Sequence, residues 1–227
     1  MTRLAAYGIG MCLALSHFFM AIPDASAQRV PAKPSKRSFS NQKPAPATAL
    51  KNPGQRQPSQ EELADAVLAD TLNRLWNQAD AHFHEGEYNH VINLNRIIVQ
   101  GDPHNTEAFS TSAWLYWSTG RNDEAAALLT QGIAVNTDRY DLYNEMGNFW
   151  NLQRKDWKGA TPFYEQAVKF ECPSRVWHSL ANCYEKGGLW DKAVGAWEKA
   201  SAYPNDAVAL VRLKRARARL AQTSHGQ

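Results

Sequence analysis

Cysteine is scarce: the 227 residues hold 3, and only Cys172 and Cys183 lie beyond residue 27. Helical spacing places Cys172 in a loop and Cys183 some nine residues into the next helix, roughly 13 Å along its axis at 1.5 Å per residue. A bridge requires α-carbons within about 7 Å, so two separate thiols are expected. Also missing are a nucleophile motif, a phosphate-cradling glycine loop and a paired-carboxylate signature. Catalysis therefore has no candidate residue, and no cofactor is implied. The formal net charge is only +3, too small by itself to indicate nucleic-acid binding.

Acidic residues are missing altogether from residues 28–60, which carry seven basic ones: Arg29, Lys33, Lys36, Arg37, Lys43, Lys51 and Arg56. Proline, Ser, Gln and Ala fill the rest, and Phe39 is the sole aromatic residue. Such a stretch offers too little apolar surface to offset the entropy of ordering. Residues 28–58 read as a disordered basic linker, a solvated spacer whose charge also permits weak contact with an anionic envelope surface. From Glu61 onward there are 17 Lys and Arg against 21 Asp and Glu, a net of minus four. A folded part that is mildly acidic argues against a nucleic-acid partner.

Residues 1–27 combine Arg3, an apolar run from Leu4 to Ile22, Pro23 and the small-residue sequence Ala25-Ser26-Ala27. This pattern is that of a secretory signal peptide cleaved after Ala27. An uncleaved anchor is the alternative, since the run approaches the ~20 residues that span a bilayer. Both place the remainder in the periplasm or cell envelope.

The folded region, 59–222, opens with Ser59 and Glu62, a capping box. Apolar residues then recur at helical spacing at Leu63, Val67, Leu68, Leu72, Leu75, Ala79 and Phe83, with no Gly or Pro before Gly86. Comparison of the chain with itself shows a period of 34. Leu75, Phe109, Tyr143 and Trp177 form a large apolar column; Ala79, Ala113, Gly147 and Ala181 a small one; His82, Tyr116, Trp150 and Tyr184 a column of rings. Gly86, Gly120 and Gly188 fall where helices should stop, with Arg154 in the fourth place. Second-helix columns follow: Val91, Ala125, Ala160, Ala193; Asn95, Leu129, Tyr164, Trp197; and Ile98, Gly132, Ala167, Ala200. Pro103, Pro173 and Pro204 close three units.

This pattern resembles the tetratricopeptide repeat, a 34-residue helix-turn-helix unit. The resemblance implies an all-α solenoid of about four units (about 72–105, 106–139, 140–173 and 174–205) and a capping helix at about 206–221. Asn205 and Asp206 start that helix, Val208, Leu210, Val211, Leu213 and Leu220 supply its apolar groups, and its Arg and Lys residues a solvated face. Unit three has one extra residue between Trp150 and Trp157, which predicts a longer loop at Arg154.

The resemblance also implies that the first helix of each unit lines a concave groove, with partner-facing residues between the core columns. Trp150, Trp157, Trp177, Trp190 and Trp197 then belong to the core. The groove would display Trp76, Asp80, Phe83, His84, Trp114 and Trp117 in units one and two. In units three and four it would display Asp141, Asn144, Asn148, Asn151, Arg175, His178, Asn182 and Glu185. Aromatic anchors suit a binding hot spot, and Asn side chains suit the backbone of an extended peptide. The expected function is a non-enzymatic scaffold or adaptor holding another protein or peptide. The alternative is a structural subunit that self-associates or docks through its terminal helices. His82, His84, Glu85, Glu87 and His90 crowd one turn, but His82 and His84 point to opposite sides of a helix. No metal site is expected there, and His82 reads as a core histidine.

Overall fold

The computed structural model describes residues 56–224. The signal segment and all but the last residues of the basic linker lie outside them. Within the described residues nine α-helices follow one another: α1 (Gln60–Glu85), α2 (Tyr88–Gly101), α3 (Thr106–Ser118), α4 (Asn122–Val135), α5 (Asp141–Asn148), α6 (Trp157–Ala167), α7 (Ser174–Lys186), α8 (Trp190–Ser201) and α9 (Ala207–Ser224). Among these residues there is no strand, and no helix is long and apolar enough to cross a membrane.

Helix α1 starts where the capping box requires. The Ser59 hydroxyl accepts from the Glu62 amide at 3.1 Å, and the Glu62 carboxylate accepts from the Ser59 amide at 2.6 Å. Arg56, the last basic residue of the linker, pairs with the same carboxylate at 3.0 Å. These bonds satisfy amides that a helix start leaves open. Helix α2 packs back on α1, α4 on α3, α6 on α5 and α8 on α7, while α3 meets α2, α7 meets α6 and α9 covers α8.

The columns of the repeat become two physical devices. One is close approach. A Cβ added to Gly147 would lie 2.6 Å from the Tyr164 ring, and one on Gly132 would lie 2.7 Å from Leu142 and 2.9 Å from Phe109. Ala79, Ala113 and Ala181 share the small column with Gly147 and are likewise buried. Large groups from the facing helix fill the space a side chain there would take. The other device is a shared helix stop. Gly86, Gly120 and Gly188 have φ of 82°, 83° and 69°, a conformation that glycine adopts without steric cost. The next residue then donates back to the ring column: Glu87 to the His82 carbonyl, Arg121 to Tyr116 and Leu189 to Tyr184, at 2.8–3.0 Å. This is the Schellman closure.

Unit three corrects the expectation of a longer loop. Helix α5 runs into a π-helical turn, Phe149–Gln153, where the Arg154 amide donates to the Phe149 carbonyl five residues back. The extra residue is absorbed inside the helix. Lys155, one position late, takes the left-handed conformation at φ 54°, and the Asp156 amide donates to the Trp150 carbonyl as its counterparts do.

The end helices depart from the sequence reading. In α9 the buried residues are Ala209, Leu213 and Ala216, whereas Val208, Leu210 and Val211 are exposed. Ala209 and Ala216, on the same face as Leu213, let α9 approach α8 closely, which turns the bulkier valines outward. In α1, Leu63, Val67 and Leu68 are exposed and Ala79 alone is fully buried, because α2 is too short to cover the first turns. Cys172 and Cys183 are free and buried, and burial pushes both thiols above their ordinary range.

Two substitutions test these devices by urea denaturation. Gly147→Val should destabilise the fold by about 1–3 kcal/mol through overpacking against Tyr164. Lys155→Gly should stabilise it by about 1 kcal/mol by relieving the left-handed strain.

Candidate functional site

The aromatic half of the expected groove is not open. Trp114 and Trp117 are buried, at 9% and 7% exposure, which corrects their assignment as displayed anchors. Helix α3 packs against α2, α4 and α5 together, so positions outside the small and ring columns are covered as well. The Trp114 ring lies 6.1 Å from Phe83 and 6.3 Å from Trp117, the latter edge-on. Trp76 and Phe83 are half-buried, and Asp80 is exposed, 3.6 Å from the His84 imidazole. Four of the tryptophans given to the core, Trp150, Trp157, Trp177 and Trp190, are only half-buried; Trp197 is fully so.

The polar half is brought together on α5 and α7, but much of it is engaged within the fold. Asn144 is buried and donates to Glu145 Oε1 at 3.1 Å; Asn148 donates to the same oxygen at 3.4 Å and accepts from the Tyr164 hydroxyl at 2.9 Å. Asn151 accepts from Lys186 at 3.0 Å. Asp141 pairs with Arg139 at 3.3 Å. Arg175 is exposed and Asn182 half-buried.

Two residues placed in the groove serve as clasps for α9. His178 Nε2 lies 2.7 Å from the Asp206 carboxylate, with its ring 5.0 Å from that of Trp197. Asp206 also caps α9 by accepting from the Ala209 amide at 3.0 Å. Glu185, whose side chain is 9% exposed, accepts from the Trp197 indole at 2.8 Å and faces Arg212 and Arg215 at 3.5 and 3.8 Å. A nearly buried carboxylate needs such partners. The basic side of α9, expected to be wholly solvated, supplies two of them.

Sequence reasoning missed Glu145. It stands in no column, yet Asn144 and Asn148 place two amides on its carboxylate, and an Asn three residues on was the available signal. Burial raises the Glu145 carboxyl above its ordinary range; the Asn148 and Asn144 amides and the charge of Arg175 oppose this. Burial also raises the Tyr164 hydroxyl. The result is a half-buried carboxylate among amides, a phenol and a guanidinium, suited to holding a cationic or hydrogen-bonding group of a partner.

No protein-family model and no curated protein matches the chain. Solved structures do. MamA aligns with a TM-score of 0.54 at 20% identity, covering 67% of this chain and 84% of that one. TTC0263, a tetratricopeptide-repeat protein of Thermus thermophilus, gives 0.50 at 20% identity over 67% of this chain and 89% of that one. YrrB, a tetratricopeptide-repeat protein with an unusual peptide-binding site, gives 0.50 at 15% identity over 66% and 82%. Stacked helix pairs with a shared stop define a helical-repeat solenoid. With these neighbours and the 34-residue columns, the fold is the tetratricopeptide-repeat fold.

The Glu145 environment makes a signed prediction. A carboxyl raised in the folded state binds its proton more tightly there, so stability falls as pH rises from the ordinary carboxylate value of 4.5 through the elevated one. Glu145→Gln keeps the acceptor for both amides and removes that loss. The variant should melt above the wild type at pH 7, and the difference should vanish toward pH 4, as followed by circular dichroism.

Proposed function

We propose that the protein is a non-enzymatic interaction scaffold of the periplasm or cell envelope that holds an extended segment of a partner protein along the α5–α7 face. The observation that carries this reading is the Glu145 cluster. Its half-buried carboxylate, the amides around it and the exposed Arg175 form a polar strip that the hydrophobic packing of the repeats does not require. Glu145 and Arg175 offer opposite charges to a partner, and Asn182 and the Asn151–Lys186 pair extend the strip with groups that donate and accept. The peptide site of YrrB is a precedent on the same fold. The signal pattern of residues 1–27 supports export, and the basic linker would give the domain reach from an envelope surface.

Trp114 and Trp117 are unsuitable probes of binding, since truncating them would open the core. The double variant Arg175→Ala, Asn182→Ala removes side chains outside the core. Affinity recovery from the cell envelope of the source organism should fall by about tenfold with it, the scale of a hot-spot contact, at unchanged helicity. Unchanged recovery would count against the α5–α7 face.

A second reading is favoured by the exposed apolar residues of the end helices. Leu63, Val67 and Leu68 on α1 and Val208, Leu210 and Val211 on α9 lie outside the core. They are the surface a structural subunit would use to self-associate or to dock in an envelope complex. Light scattering on residues 59–227 separates the readings: a monomer at high micromolar concentration removes self-association.

A further inference from the structure

The turn between α1 and α2 assembles a constellation that helical spacing alone does not foresee. His82 and Glu87 are separated by the left-handed Gly86, and the Schellman closure at that glycine folds the end of α1 against the start of α2. As a result His82 Nδ1 lies 2.5 Å, and His90 Nδ1 3.1 Å, from the same Glu87 Oε2. The imidazoles stand edge to face with centroids 5.1 Å apart. One donor atom from each residue lies within 4.8 Å of the others. Glu85 contributes a further carboxylate oxygen 3.9 Å from His82 Nδ1. His82 is thus not the core histidine its column suggests: its side chain is 23% exposed and turned toward the carboxylate. His84 takes no part and faces Asp80 instead.

We propose that His82, Glu87 and His90 form a binding site for a late first-row divalent transition-metal ion of the Zn²⁺ class. Bonds to such an ion are about 2.0–2.2 Å from imidazole nitrogen or carboxylate oxygen, so its donors stand about 3–3.5 Å apart. The present separations bracket that range, and small side-chain rotations close it. Two imidazoles and one carboxylate match the preferences of Zn²⁺, Ni²⁺, Co²⁺ and Cu²⁺; Mg²⁺ and Ca²⁺ demand oxygen sets, and Cu⁺ demands sulfur. The donors are held from both sides of a turn closed by backbone hydrogen bonds, so little ordering remains for the ion to impose. In a neutral ring the Nδ1 proton moves to Nε2 as the metal takes its place, exchanging two His–Glu hydrogen bonds for three metal bonds. Three protein ligands leave the remaining positions to water, in an open depression also lined by Thr119 and Arg121 of the next turn. Such an ion would pin α1 to α2 at the edge of the first repeat.

The test is calorimetric titration of the untagged full chain with ZnCl₂. One equivalent should bind with a dissociation constant below about 100 μM, that is, more favourably than about −5.5 kcal/mol. His90→Ala, at a side chain 62% exposed, and Glu87→Gln should each weaken binding at least about tenfold, as loss of a ligand from a three-ligand set requires. His84→Ala should bind as the wild type does. Zn²⁺ should also raise the melting temperature of the wild type and not that of His90→Ala. No saturable binding in that range, or a loss of less than tenfold in His90→Ala, overturns the assignment.

Discussion

Gly147 lies so close beneath the Tyr164 ring that a single methyl group would reach it. That contact fixes how closely α5 and α6 approach each other. A ring seats deeply where the opposing helix carries at most a methyl group, and the same close approach occurs at Gly132 under Phe109 and Leu142. Because dense packing tolerates neither a void nor an added methylene, the small column constrains sequence more tightly than the large ones. Leu75, Phe109, Tyr143 and Trp177 differ widely in volume, whereas their small counterparts are Ala or Gly throughout.

The helix stop turns this pairwise contact into a repeat. Each ring-column carbonyl receives an amide from just past a left-handed residue, so successive pairs leave the turn alike. Unit three shows which part of the device is indispensable. An inserted residue shifts the left-handed position from 154 to 155 and forces it on a lysine, and the helix takes on a π turn, while the closing hydrogen bond survives. The closing backbone bond is kept there while regular helical geometry is not, the π turn taking up the extra residue.

Charge is distributed by the same demand. Glu185 and Asp206 lose most of their water when α9 covers the last repeat, and each acquires donors in exchange: the Trp197 indole and two arginines for one, His178 and the Ala209 amide for the other. Glu145 differs. It is held by two amides and a more distant guanidinium and keeps a cost of burial.

The linear pattern sufficed for the order of the helices, the α1 capping box and the three glycine stops, because these signals are local or periodic and act through backbone geometry, whereas the π turn that absorbs the extra residue of unit three was not legible in it. It also sufficed for the separate fates of Cys172 and Cys183. The fates of individual side chains were decided in three dimensions. Trp114 and Trp117 stand outside the columns and are nonetheless buried, because α3 is enclosed by three helices, a condition that spacing along one helix does not encode. His178 and Glu185 lie on a face assigned to a partner and hold α9, which arrives from some thirty residues downstream. Val208, Leu210 and Val211 look like core and face outward, because Ala209 and Ala216 permit a closer approach than valine does. His82, Glu87 and His90 meet only because a left-handed glycine reverses the chain between them. Periodicity reports which residues share one helix face; which faces meet depends on the angles at the turns, and those arise only when the repeats stack.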